Sequence, residues 1–288
     1  MIAVLGASGQ LGSAFVRALG GRCLSVTRGV LDLNHTGAIE PWVKSVEAEL
    51  VINCAAYTAV DAAETDADTA RNVNALAVEA LARSTTRHGV RFVTFSTDYV
   101  FDGEKETGYV ESDQANPLNV YGETKLEGEQ LALDADPDVL VIRTSWLLSM
   151  THRNFLTTML ARLAEGEVSV VDDQRGRPTF VDDLVRGTLE AFDAGASGIL
   201  HLTNQGEATW YGLACDIAEL AGFDPGLVRP ISSSALNRPA KRPANTVLDS
   251  ERLMKHGVEG LGDYSTSLME AVRDVIGQRS EPSLGDSR

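Results

Sequence analysis

Three glycines spaced by three, in GASGQLG at residues 6–12, follow directly on the apolar run IAVL at residues 2–5. A strand that turns at once into a helix needs backbone without Cβ atoms. The helix N-terminus so formed offers free amides and a positive dipole end to an anion. The spacing differs from the commoner G-x-G-x-x-G, and its position after an N-terminal strand points to dinucleotide binding, with Gly6, Gly9 and Gly12 in the turn. A plain structural turn rarely needs three glycines. The chain then alternates short apolar runs with longer amphipathic ones: CLSV (23–26), LVINCAA (50–56), RFVTFS (91–96) and VLVIRTS (139–145) read as strands. Residues 68–89, closing on Gly89, read as a helix between them. This predicts an α/β fold with a doubly wound parallel sheet over residues 1–146. Residues 147–288 are expected to form a smaller, mainly substrate-binding part, with some elements returning to the first. Helices are expected over 178–192 and 207–222, and a mobile tail over the last eleven residues.

Composition narrows the partners. Of 288 residues, 41 are acidic and 25 are Lys or Arg, a formal charge of −16. Polyanion binding draws on clustered cations, so neither nucleic acid nor an acidic membrane is expected, and any anion must meet a local site. No apolar run approaches the ~20 residues of a membrane span, and the start lacks a signal peptide's basic flank, so a cytoplasmic protein is expected. Cys23, Cys54 and Cys215 are widely separated, with no metal-ligand spacing, and read as reduced thiols; no metal is expected.

Which dinucleotide binds turns on the end of the second strand, where an acid would accept from a ribose and a cation would meet a 2′-phosphate. Arg28 in SVTRG favours NADPH, while Asp32, at the expected distance past the glycines, competes for NADH.

The fourth strand runs into STDYVF, and VYGETK at residues 120–125 places Tyr121 and Lys125 four apart, about 6 Å along one helix face. Ligands of a doubly wound sheet sit at the strands' carboxyl ends, where Ser96 and Thr97 fall. A hydride delivered to a ketone leaves an alkoxide that must be protonated. An ammonium about 4 Å from the phenol would be worth roughly 4 kcal/mol at an effective dielectric of 20, bringing Tyr121 from about 10 to near 7. Thr97 would donate a hydrogen bond to the same oxygen.

GASGQLG, NCAAYTAVDAAE, STDYVF, VYGETK, RTSW, DDQRGRPT and RPANTVLD occur in the order and rough spacing of the dTDP-4-dehydrorhamnose reductases of the extended short-chain dehydrogenase/reductase superfamily, which the chain resembles over almost its whole length. The resemblance implies reduction of the 4-keto group of dTDP-4-dehydro-L-rhamnose. It carries Gly9, Gln10 and Leu11 to the pyrophosphate, Asp32 and Leu33 to the adenine, and Ala56, Tyr57 and Thr58 to the cofactor site. Tyr121 becomes the proton donor and Lys125 the residue that holds the ribose. Thr97, Asp98 and Trp146 contact the sugar; for Trp146 a core aromatic is the competing reading. Some relatives bind a metal at a dimer interface through a first-helix glutamate; GSAFVRAL has no acid, so neither metal nor dimer is carried over, and the oligomeric state stays open.

Between Gly226 and Asn245 there is no acid, yet Arg229, Arg238, Lys241 and Arg242 lie there. A basic segment of this kind suits a nucleotide diphosphate, with Arg242 as the expected contact. Three readings compete. A 4,6-dehydratase would need an acid pair where Asp98 is followed by Tyr99. A regulatory subunit like that of methionine adenosyltransferase would bind NADP without catalysis. A reductase of opposite facial selectivity would make the 6-deoxytalose epimer.

Overall fold

The apolar runs have no polar alternation because both sides of each strand are covered. The computed structural model describes residues 1–280. Six parallel strands lie in the order Gly198–His201, Leu140–Thr144, Arg91–Thr97, Leu50–Asn53, Ile2–Leu5, Cys23–Val26. Alternate residues feed two cores. Val4, Ile52, Val93 and Ile142 pack against helices Gln10–Leu19 and Val181–Asp193 through Phe15 and Leu184. Ala3, Leu5, Val51 and Val141 meet Ile39, Val43, Leu81 and Ala132 on the other side, from helices Ile39–Ser45, Ala77–Arg87 and Val120–Ala135. The doubly wound sheet is the one expected. Its order reverses between Ile2–Leu5 and Leu50–Asn53, which opens a crevice at the carboxyl ends.

The differences from expectation have local causes. The third strand stops at Asn53 rather than 56: the Asn53 amide donates to Thr94 Oγ1 at 3.3 Å, its Oδ1 accepts from Ala55 N at 3.1 Å, and the chain leaves the sheet. The helix expected over 68–89 is Ala67–Arg71, a wider π turn at Asn72–Leu76, then Ala77–Arg87, ending before Gly89 at φ +68°. Residues 178–180 are not helical because Thr179–Phe180 pairs with Leu147–Leu148; the helix begins at Val181. Likewise Ala208–Thr209 pairs with Arg175–Gly176, and the next helix is Trp210–Leu220, capped by Thr209.

The second half has its own core, with Leu156, Leu160, Phe180, Leu213, Ile217 and Leu268 at its centre. It also returns to the first: Gly198–His201 is the sixth strand of the main sheet, a four-residue run too short to be read from sequence. The last helix, Tyr264–Ser280, includes the first three residues of the expected tail; residues 281–288 lie outside the described residues. Among the described residues no helix is long and apolar enough to cross a membrane. The three cysteines are free and half-buried.

A Cβ at Gly12 would lie 2.2 Å from the Gly6 carbonyl oxygen, inside any allowed contact. Gly12→Ala is therefore expected to lower unfolding free energy by about 1–3 kcal/mol, read as a reduced denaturant midpoint with unchanged slope.

Candidate active site

At the crevice the glycine turn is drawn tight. Gly6 has φ +70°, and a Cβ there would sit 2.7 Å from Ala55 N. The following helix has Gly9 as its N-cap, no side-chain cap and no acid in its first turn, so its end amides remain available. Gln10 Nε2 is buried without a partner beside them. An uncapped helix end and an orphaned donor fit a pyrophosphate, the group a dinucleotide would bring. The cleft they open has a volume of about 810 Å³ and is lined by Gly6, Gly9, Gln10, Leu11, Arg28, Asp32, Leu33, Ala56, Tyr57, Thr58, Thr97, Asp98, Tyr121, Lys125 and Trp146. Of the residues expected at the cofactor only Gly12 is not at its wall; it is buried behind, where its lack of a Cβ lets Gly6 approach.

Arg28 and Asp32, rivals in the sequence, are partners in the structure: Arg28 Nε lies 3.3 Å from Asp32 Oδ2. Asp32 also accepts from the Asn34 amide and side chain, both at 3.0 Å, and these bonds hold its carboxyl below the usual range.

Ala56, Tyr57 and Thr58 are held by a residue that sequence reasoning missed. Asn74, 1% exposed, accepts from Tyr57 N at 2.8 Å and donates to Tyr57 O and Thr124 Oγ1, both at 3.1 Å. It thus ties the Ala56–Thr58 loop to the helix that carries Tyr121. The signal was concealed inside an apparently regular helix; only the π turn points Asn74 inward.

The Val120–Ala135 helix starts under double control, since Asn119 Oδ1 accepts from Gly122 N at 2.8 Å and Glu64 accepts from Val120 N at 2.9 Å. Tyr121 rests edge-on against Tyr99, ring centroids 5.9 Å apart. Lys125, 5% exposed, donates from Nζ to Phe95 O at 2.5 Å. Burial brings it down to about 8, opposed by Glu129 one turn on. The expectation that Lys125 draws Tyr121 towards 7 is not met: burial pushes the phenol above its ordinary value, and the ammonium is turned to a carbonyl. Below Lys125, Arg143 and Glu129 form a buried bidentate pair at 2.9 and 2.6 Å, another contact the sequence did not reveal. Thr97, 6% exposed, donates to Asp98 Oδ1 at 2.9 Å and accepts from Tyr99 N at 3.2 Å.

Trp146 has φ +46°, strained for a residue with a side chain, and stacks on Trp210 with centroids 3.5 Å apart and planes 5° from parallel. The space exists because Gly176 has no Cβ; one would lie 2.5 Å from the Trp146 ring. Trp146 is thus a wall of the cleft as well as an aromatic packed after a strand. Trp210 belongs to a second cleft of about 630 Å³, with Phe155, Arg162, Arg238, Lys241 and Arg242 in its wall and no acid among its lining residues. The basic segment is therefore at a cavity, but its cations differ in availability. Arg242 is engaged by Asp61 at 2.8 and 2.9 Å and by Ala240 O at 2.8 Å. Arg229 pairs with Glu167 at 2.9 Å outside the cleft. Arg162, from helix Phe155–Leu163, was missed because it lies far along the chain from the basic segment. Among the described residues no group of three or more His, Cys, Asp or Glu is placed to hold a metal ion.

A switch-point cleft with an open helix end at one side, and a hydroxyl, a tyrosine and a buried lysine at the other, defines a Rossmann-fold oxidoreductase. More narrowly, the chain belongs to the RmlD substrate binding domain family, whose family model matches residues 1–276. It is 40% identical to a dTDP-4-dehydrorhamnose reductase of Burkholderia thailandensis, over 96% of this chain and 99% of that one. It is 42% identical to a Streptomyces antibioticus protein named as a probable dTDP-4,6-dihydroxy-2-methyloxan-3-one 4-ketoreductase, over 97% of each. In three dimensions it resembles dTDP-4-dehydrorhamnose reductase from Bacillus anthracis, solved in complex with NADP, with a TM-score of 0.91 and 30% identity over 95% of this chain and 98% of that one.

Asn74→Ala would leave both half-buried backbone groups of Tyr57 without that partner, at about 1 kcal/mol each. The variant is expected to show a lower melting temperature and a KM for NADPH raised at least about fivefold, measured by steady-state kinetics.

Proposed function

We propose that the protein reduces the C4 ketone of dTDP-4-dehydro-L-rhamnose to dTDP-L-rhamnose with NADPH. The observation that carries this reading is the convergence of Thr97, Tyr121 and Lys125 on the cleft that the glycine turn opens. NADPH, when bound, supplies the hydride. Gly9, Gln10 and Leu11 would hold its pyrophosphate, Arg28 its 2′-phosphate, with Asp32 able to accept from the 2′-hydroxyl of NADH instead. The Bacillus anthracis reductase bound to NADP supports the same choice. Lys125 would face the nicotinamide ribose.

Tyr121 gives its proton to the oxygen that becomes the C4 hydroxyl. Burial raises its pKa, which keeps the phenol protonated through the neutral range and makes it a weaker acid than one matched to the working pH. Asp98 and Trp146 would line the sugar, and Trp210 continues the aromatic wall into the second cleft. There Arg162, Arg238 and Lys241 would meet the diphosphate, in a chain whose other charges repel it. Arg242, held by Asp61, would shape this wall and contribute a second-rank contact.

A second reading has a specific support, the 42% identity to a ketoreductase named for a different dTDP-linked sugar. It keeps the chemistry and changes the sugar. Product analysis by NMR, with the C4 configuration assigned, separates rhamnose, its 6-deoxytalose epimer and other deoxysugars. NADPH oxidation by the purified chain alone separates an enzyme from a regulatory NADP-binding subunit.

Tyr121→Phe is expected to lower kcat by about 10²–10⁴ while NADPH binding, followed by fluorescence, stays near wild type. Near-normal turnover would remove the tyrosine from its role. Arg28→Ala is expected to lower the NADPH over NADH ratio of kcat/KM by roughly tenfold, the loss of one charge-assisted hydrogen bond at an exposed site. An unaltered ratio would sink the assignment of Arg28.

A further inference from the structure

The Thr97 hydroxyl has one proton, for which Asp98, the Tyr121 phenol and a substrate oxygen compete. Oγ1 donates to Asp98 Oδ1 at 2.9 Å, whereas ketone activation would direct the same proton to the substrate oxygen. With Asp98 ionised, Thr97 can offer the substrate only a lone pair. A lone pair facing a ketone oxygen repels it.

Asp98 is poorly provided for as an anion. It is 3% exposed, and its Oδ2 is buried without a hydrogen-bond partner. The groups facing it are Thr97 and Tyr99 from its own segment, Tyr121 from the Val120–Ala135 helix and Thr246 from the C-terminal half. None of these is a cation, and the nearby Lys125 donates to Phe95 O. Thr246 and Thr97 favour the anion, but with no counter-ion and an oxygen lacking a well-directed hydrogen bond, burial outweighs them and favours the neutral form.

We propose that Asp98 is a positioning acid: when neutral it donates to Thr97 Oγ1 and so turns the Thr97 proton towards the ketone. The Asp98 proton comes from solvent before the sugar binds and is not consumed. Thr97 keeps its own proton, and the proton passed to the new hydroxyl is that of Tyr121. Oγ1 then accepts from Asp98 and from Tyr99 N and donates once, which uses its full capacity.

Burial holds the Asp98 carboxyl up to about 6. Below that pH the acid form prevails and Thr97 is a donor; above it the carboxylate takes the Thr97 proton back. A bound sugar excludes more water and moves this point higher. Reduction should weaken as pH rises through it, well before the raised Tyr121 ionises.

The inference rests on the proposed reductase reading, and its test is the pH dependence of kcat/KM for dTDP-4-dehydrorhamnose with saturating NADPH. In the wild type the rate is expected to fall about tenfold per pH unit beyond the Asp98 limb. Asp98→Asn, whose amide N–H donates to Thr97 as the neutral acid does, should lose the limb, whatever its absolute rate. Thr97→Val should be slower below the limb, no slower than wild type well above it, and itself lack the limb, which decides the matter if Asp98→Asn does not fold, as judged by NADPH fluorescence. A wild type without this limb, or a limb below the Lys125 range of about 8 that persists in either variant, overturns the proposal. A chain that oxidises no NADPH at any pH fails the reductase reading instead.

Discussion

The helix that carries Tyr121 and Lys125 lies so close to its neighbours that two of its positions have no room for a Cβ. At Gly122 one would meet the Tyr99 carbonyl oxygen at 2.2 Å, and at Gly128 the Asn74 carbonyl oxygen at 2.0 Å. This close seat sets the geometry of everything at the sheet edge. Through Tyr99 the helix touches the segment that bears Thr97 and Asp98, and through Asn74 the loop of Ala56–Thr58. The Glu129–Arg143 pair pins its third turn to the Leu140–Thr144 strand, where both side chains are almost wholly buried. Losing one partner of such a pair costs about 3–5 kcal/mol, so the pair also opposes any drift of the helix.

Electrostatically the site is buried at its centre and charged at its rim. Burial raises Tyr121 and Asp98 and lowers Lys125, so each is displaced towards its neutral form. For Tyr121 this keeps the proton in place and weakens it as an acid. At the rim, cations stand against a strongly acidic chain, with Arg28 at the dinucleotide end and Arg162, Arg238 and Lys241 around the second cleft. The stacked Trp146 and Trp210 join the two clefts, and the positive φ of Trp146 is the local strain accepted for that alignment.

Much of the fold was legible because its signals are local. Ile2–Leu5 and Cys23–Val26 have the bounds read from their sequence, and Leu140–Thr144 differs by one residue at each end. Misreadings arose where tertiary pairing overrode propensity. Thr179–Phe180 looked like helix and is strand because Leu147–Leu148 lies alongside. The π turn at Asn72–Leu76 has no local signature, and with it Asn74 stayed hidden. The Asp61 partner of Arg242 was out of view as well, because it lies 181 positions away.

The sequence by itself determined the parallel sheet, the glycine turn at its first strand, and the tyrosine and lysine on one helix face. Each is a matter of period or of bonds between near neighbours, and the backbone enforces it wherever the segment lies. Only the tertiary structure decided where the protons and charges point. Lys125 turns to Phe95, Arg242 to Asp61 and Arg143 to Glu129, each across 14 to 181 positions of chain. Hydrogen-bond direction and desolvation depend on which groups packing brings together, and no local pattern encodes them.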